Sequence, residues 1–221
     1  FFTTSTLAGQ NLIKEGHKKE QIYFVGNVMI DTLRANESRF QQPEIWNRLG
    51  LKEKHYLVMT MHRPANVDEE AKLKEFIESI DQNTKGIPVI FPIHPRTKSI
   101  LEKAGIQMQN IYLVEPLGYL EFNYLVKHAI GVLTDSGGIT EETTVMNVPC
   151  ITLRDNTERP ETVEIGTNEL IGTKPEKIKP ALKKLLSGNW KQGQIPEKWD
   201  GKAAERIVNL LLIEDEIMQH K

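Results

Sequence analysis

The chain has 221 residues, 39% hydrophobic and 26% charged, with 28 basic against 30 acidic side chains. This is the composition of a globular protein long enough to bury a sizeable core, and the net charge of -2 leaves no electrostatic footprint for nucleic acid or a membrane surface. No apolar stretch approaches the roughly 20 residues that span a bilayer, and the single cysteine, Cys150, excludes an intrachain disulfide and a cysteine metal cluster.

The sequence opens Phe1-Phe2-Thr3-Thr4, without methionine and without the basic-then-apolar order of a signal peptide. It therefore reads as a segment from inside a longer polypeptide, and the lone thiol in the apolar run Val148–Leu153 as a buried structural group in a reducing, cytoplasmic setting.

From there, short apolar runs alternate with amphipathic stretches. The opening helix follows Ser5, with Leu7, Asn11 and Leu12 on one face; strand Ile22–Val25 precedes a helix at Val28–Arg34. Strand Tyr56–Met61 precedes a helix from about Asp68, whose Leu73, Phe76, Ile77 and Ile80 recur at core spacing. Strands Val89–Ile93, Ile111–Val114, Gly131–Thr134 and Cys150–Leu153 follow, with helices at Thr97–Ala104, Tyr119–His128, Ile139–Met146 and Lys177–Leu186. Such alternation predicts an α/β fold, a doubly wound, Rossmann-like parallel sheet of about six strands with helices on both faces. The expected organisation is one domain over residues 1–200 and an amphipathic helix over 201–221, lined by Ala203, Ala204, Ile207, Val208 and Leu211.

Doubly wound sheets bind ligands at the carboxyl ends of their strands, so the turns there are where chemistry is expected. Thr134-Asp135-Ser136-Gly137-Gly138-Ile139-Thr140-Glu141-Glu142 joins a buried strand to a helix. Paired glycines let a phosphate approach the backbone, and the helix N-terminus offers unpaired N–H groups with partial positive charge; Glu142, one turn in, can accept from ribose hydroxyls. The same residues also fit a serine-capped helix after a tight turn, with no ligand at all. At the end of an earlier strand, His62-Arg63-Pro64 sets a proton donor and a guanidinium side by side on a turn, suited to an anion or a leaving group, though such pairs also occur on plain surface turns. Ile93-His94-Pro95-Arg96 repeats the theme more weakly. None of the six histidines is placed at helical metal-ligand spacing with another, and neither a Gly-x-x-x-x-Gly-Lys loop, a Gly-x-Gly-x-x-Gly fingerprint nor a Gly-x-Ser-x-Gly elbow is present.

Taken in order, Gln10-Asn11-Leu12, Val25-Gly26-Asn27 with Ile30-Asp31, Thr60 to Asn66, Ile93-His94-Pro95, Glu115 to Tyr119, Thr134 to Glu142, and Leu153-Arg154-Asp155-Asn156-Thr157-Glu158-Arg159-Pro160-Glu161 resemble the non-hydrolysing UDP-N-acetylglucosamine 2-epimerases over nearly the whole chain. One departure is Ala65, where that family commonly has Glu.

The resemblance implies one half of a GT-B-type two-domain fold, with a first Rossmann-like half preceding this one and the tail helix crossing back to it. It implies interconversion of UDP-GlcNAc and UDP-ManNAc by elimination and re-addition of UDP, with the acid and base carboxylates in the other half, so that this part alone is expected to be inactive. By residue, it implies His62 as donor to the leaving UDP; Ser136, Gly137, Gly138 and Arg63 at the diphosphate; Glu142 at the ribose; backbone near Phe122 at the uracil edge; and His94 as a candidate allosteric contact. No cofactor or metal is implied, and the expected partners are the two UDP-sugars and a second copy in a homodimer, without nucleic acid or membrane. A GT-B glycosyltransferase half, a hydrolysing epimerase and a non-catalytic UDP-sugar-binding module remain open alternatives.

Overall fold

The computed structural model describes residues 1–67, 69–93, 95–103 and 105–219, without the side chains of 65, 95, 96 and 214–219. In chain order its strands are β1 (Phe2–Thr3), β2 (Tyr23–Phe24), β3 (Leu57–Thr60), β4 (Val89–Pro92), β5 (Ile111–Val114), β6 (Gly131–Thr134), β7 (Cys150–Thr152) and β8 (Asn168–Leu170). Its α-helices are α1 (Thr6–Lys14), α2 (Val28–Asn36), α3 (Glu44–Arg48), α4 (Pro64–Val67), α5 (Glu70–Asn83), α6 (Pro95–Lys103), α7 (Tyr119–His128), α8 (Gly137–Val145), α9 (Pro160–Glu164), α10 (Ile178–Leu186) and α11 (Ala203–Gln219). Contacts divide the chain into two compact units, one of Phe1–Ser38 with Ile195–Lys221 and one of Arg39–Gln194. That division differs from the boundary read along the sequence, because the last helix groups with the first 38 residues.

The larger unit is built on a six-stranded parallel sheet in the order β5-β4-β3-β6-β7-β8. Its inner strands β4, β3, β6 and β7 are buried on both faces, which is why they read as unbroken apolar runs rather than alternating ones. Leu57 and Met59 of β3 point to one face, where α5, α6 and α10 supply Phe76, Leu101 and Leu182. Val58 points to the other, against Ile45 of α3 and Leu125 and Val126 of α7. The winding reverses between β3 and β6, so the carboxyl ends of these two strands form the crevice where ligands bind in folds of this type.

Two expectations about strands are corrected. The run Ile22–Val25 does not join the main sheet; its Tyr23 and Phe24 pair with Phe2 and Thr3 in a separate two-stranded parallel sheet. The sixth strand is instead β8, whose three residues, Asn168-Glu169-Leu170, carry no apolar period to reveal them. Buried side-chain bonds pin it: Asn168 Oδ1 accepts from Thr152 Oγ1 at 2.6 Å, and Asn168 Nδ2 donates to Thr162 Oγ1 at 3.2 Å.

In the smaller unit, Ser5 caps α1, its Oγ accepting from Ala8 N at 3.2 Å. Of the face that carries Leu7, Asn11 and Leu12, Leu7 and Asn11 are exposed and Leu12 is half-buried, and Gly9 is the buried residue of the helix. Asp31 caps α11 from a distance, its carboxylate accepting from the N–H groups of Ala203 and Ala204 at 3.0 and 2.6 Å. Arg206 donates to Val25 O at 3.0 Å and to Asp200, and Trp199, fully buried, donates from Nε1 to Thr4 O at 3.0 Å. These bonds turn Ala203, Arg206, Ile207 and Leu210 inward, so the apolar stripe read from the sequence is split: Ala204, Val208 and Leu211 face out together with Leu212.

Candidate functional site

The turns after β3 and β6 meet at the reversal point. Asp135, the first residue beyond β6, is fully buried, and a carboxylate there requires donors on every side. It accepts from the backbone N–H of His62 at 3.1 Å and of Arg63 at 2.9 Å, and from Asn66 Nδ2 at 3.1 Å, while its Oδ1 lies 2.9 Å from His62 Nδ1. Arg63 Nε donates to the Asp135 carbonyl at 3.0 Å. Burial pushes the Asp135 carboxyl up, but the hydrogen bonds from His62, Arg63 and Asn66 and the positive charge of His62 outweigh it and hold it below the usual carboxylate value. The bond to Asp135 raises His62 above the ordinary histidine value, against burial and the charge of Arg63.

Beside this pair is a cavity of about 290 Å³. Its wall is mostly apolar, with Leu117, Phe122 and Ile139, and Thr60, His62 and Ser136 supply the polar groups. Ser136 is the N-cap residue of α8 yet makes no side-chain cap bond. The serine-capped alternative is thus not what the chain forms, and the first-turn N–H groups of α8 are left for another acceptor. Nor does the fold itself require the two glycines: a Cβ built on Gly137 would meet nothing closer than 3.9 Å, and one on Gly138 would meet nothing within 4 Å.

Glu142, one turn into α8, is buried and accepts from Tyr119 Oη at 2.8 Å. Burial raises its carboxyl, with the bonds from Tyr119 and Asn123 pulling the other way. Phe122 lines the cavity with its side chain, while its own N–H donates to Gly118 O at 2.9 Å as the first turn of α7. Gly118 is the N-cap of α7 and supplies no side-chain cap, so the uncapped donors on this side belong to residues just before Phe122.

The Arg154–Glu161 segment closes over α8 through charge. Arg154, almost wholly buried, makes a two-pronged bond to Glu158 at 2.8 and 2.6 Å, and this pulls the Glu158 carboxyl down to about 2. Arg63 Nη2 lies 4.0 Å from the same carboxylate. Arg159 pairs with buried Glu141. Glu161 is buried with its Oε1 unpartnered, and burial pushes its carboxyl up. Cys150 is fully buried and its thiol is pushed up to about 12 by that burial, so it is inert as a nucleophile.

The structure therefore gathers His62, Arg63, Phe122, Ser136, Gly137, Gly138 and Glu142 around the carboxyl ends of β3 and β6. His94 lies outside the described residues. The sequence reading did not single out Asp135 and Tyr119. Both stood inside quoted motifs, but nothing local shows that Asp135 meets a residue 73 positions away or that Tyr119 bonds Glu142 across 23. Among the described residues no group of three or more His, Cys, Asp or Glu could hold a metal ion, and no helix is long and apolar enough to cross a membrane.

Comparison with known proteins adds the family. The UDP-N-acetylglucosamine 2-epimerase of Methanocaldococcus jannaschii is 40% identical over 223 residues, covering 95% of this chain and 60% of its own length. The solved structure of that organism's UDP-GlcNAc 2-epimerase in complex with UDP-GlcNAc and UDP matches with a TM-score of 0.81 at 39% identity, over 96% of this chain and 60% of that one. The structure of Staphylococcus aureus MnaA with UDP matches with a TM-score of 0.83 at 30% identity, over 97% of this chain and 59% of that one. The chain spans about 60% of the length of these relatives. Residues 1–212 match the UDP-N-acetylglucosamine 2-epimerase family, a span that takes in the Rossmann-like sheet and both the His-Arg and Ser-Gly-Gly turns, and the chain belongs to that family.

Proposed function

We propose that this chain supplies the UDP-holding part of an enzyme that interconverts UDP-GlcNAc and UDP-ManNAc. The observation that carries this reading is the uncapped N-terminus of α8: Ser136 forms no cap, Gly137 and Gly138 leave open space in front of the first turn, and His62 and Arg63 stand on the adjoining turn. A diphosphate at that position accepts from backbone N–H groups and lies at the positive end of the helix dipole. Glu142 then takes the ribose hydroxyls, backbone at the start of α7 beside Phe122 takes the uracil edge, and Arg63 turns from Glu158 to the diphosphate.

When the anomeric C–O bond breaks, negative charge develops on the departing UDP, and donors already in place stabilise it without reorganisation. The protonated His62 gives its proton to that oxygen on departure and recovers it on re-addition. Removal and return of the C2 proton are assigned to carboxylates outside this chain, in the first half that the resemblance implies, so the chain by itself binds UDP but does not epimerise. We further propose a cytoplasmic protein, and that in the 221-residue chain, without the first half to which the tail helix would cross, a second copy covers the exposed side of α11, which would otherwise leave Val208, Leu211 and Leu212 in water.

Calorimetric titration with UDP tests the site. Wild type is expected to bind, and Ser136→Ala and Glu142→Ala to bind more weakly by about 1.5–3 kcal/mol, the loss of one hydrogen bond to a charged group. Equal affinity in all three sinks the assignment, and turnover of UDP-GlcNAc by the 221-residue chain alone refutes the division of labour.

A further inference from the structure

The two oxygens of Asp135 are used unequally. Oδ2 accepts from three N–H donors, Arg63 N at 2.9 Å, His62 N at 3.1 Å and Asn66 Nδ2 at 3.1 Å. Oδ1 faces His62 Nδ1 at 2.9 Å, with His62 N again at 3.2 Å. An ionised carboxylate only accepts hydrogen bonds, so the proton on that contact belongs to Nδ1, whether the ring is neutral or charged. Histidine has two ring nitrogens, and committing one decides what the other does.

We infer that Asp135 is a positioning residue that fixes neutral His62 as its Nδ1–H tautomer, reserving Nε2 as the nitrogen that gains and loses the working proton. The reason is geometric. His62 is 61% exposed at its side chain while its partner is 0% exposed, so one edge of the ring is locked to the buried carboxylate and the other is free to meet a ligand in the adjoining cavity. The lock also spans the reversal point of the sheet, tying the turn after β3 to the turn after β6. The charged groups facing His62 are Asp135 from the β6 turn and Arg63 beside it, with Glu158 4.0 Å from Arg63; the bond to Asp135 favours the charged ring and Arg63 opposes it.

This deepens the reading of His62 as the group that meets the departing UDP, and it rests on that reading only for its consequence. It is separable from a general bracing role for Asp135, because asparagine would keep the bracing and reverse the ring. In the Asp135→Asn variant, the amide oxygen takes the place of Oδ2, where three donors converge, and the NH2 group takes the place of Oδ1. That NH2 donates to Nδ1, which must then be unprotonated, so the proton moves to Nε2 and the charged ring is disfavoured.

The test is multiple-bond ¹H–¹⁵N NMR of His62 in the 221-residue chain, with UDP titrations across pH 5.5–8.5 as the functional readout. The expected result is Nδ1–H in neutral wild type and Nε2–H in Asp135→Asn, the latter checked for folding by circular dichroism. Wild-type UDP affinity is expected to fall as pH rises through the titration of His62, a step that moves to lower pH or vanishes in Asp135→Asn. Neutral wild type with its proton on Nε2 overturns the inference even if Asp135→Asn fails to fold, as does a folded Asp135→Asn with unchanged tautomer and pH profile. Wild-type Nδ1–H together with UDP binding that lacks the step upholds the positioning role and overturns His62 as the UDP-facing group.

Discussion

The hydroxyl of Tyr119 donates to Glu142 Oε1 across 2.8 Å, joining the first turn of α7 to the first turns of α8. Glu142 is held above the ordinary carboxylate value by burial, and this bond is the main force pulling it back. Tyr119→Phe should therefore raise Glu142 further and shift the proton-bound, poorly accepting form toward neutral pH. Ribose contacts need the ionised carboxylate, so UDP affinity in the variant should drop most at acidic pH and recover as pH rises. Titrations at pH 5.5 and 8 check this; a loss equal at both values would place the role of Tyr119 in packing rather than in charge.

Glycines 137 and 138 separate folding from binding. Both sit in the first turn of α8, neither has positive φ, and an added methyl group at either meets no atom closer than 3.9 Å. Alanine at either position should leave thermal stability unchanged or raise it by roughly 0.4–1 kcal/mol, since it restricts the unfolded chain. It should weaken UDP binding, because the methyl group occupies the space in front of the N–H groups. Gly26 is the opposite case: its φ is +99° and a Cβ would lie 2.1 Å from Lys198 O, so Gly26→Ala should destabilise by more than about 1 kcal/mol. Thermal melts of the three variants, with and without UDP, read both effects; a destabilised Gly138→Ala contradicts the first.

Glu161 is buried with Oε1 unpartnered, and burial raises its carboxyl. A carboxyl whose folded-state value exceeds its unfolded one favours folding when protonated, so its contribution turns unfavourable as pH rises from the unfolded value through the folded one. Glu161→Gln removes that titration. The variant should match wild type near pH 4.5 and exceed it in stability at pH 8, measured by denaturant unfolding. A variant less stable than wild type at pH 8 would show that the carboxylate has a partner in solution.

The outward side of α11 presents Val208, Leu211 and Leu212. If a second copy covers it, sedimentation should show a concentration-dependent dimer that becomes monomeric in Val208→Asp/Leu212→Asp. A wild type that stays monomeric at all concentrations removes the pairing proposal while leaving the UDP site untouched.

What the sequence determined by itself was whatever is local. Buried parallel strands announce themselves as apolar runs, so five of the six strands of the main sheet were placed from residues such as Gly131–Thr134, and Leu73, Phe76, Ile77 and Ile80 marked α5 by spacing alone. The Ser-Gly-Gly turn and the His-Arg turn were legible because each is a run of neighbours. Tertiary structure alone decided three matters. It placed Tyr23 and Phe24 outside the main sheet and Asn168–Leu170 inside it, since pairing partners rather than an apolar run choose a two-residue strand and a strand that reads Asn-Glu-Leu. Through Asp31 and Arg206 it turned α11 so that its apolar stripe splits, an outcome set by bonds to residues far off in sequence. And it joined His62 to Asp135: a charge survives burial only where donors converge on it, and that convergence exists only once β3 and β6 lie side by side.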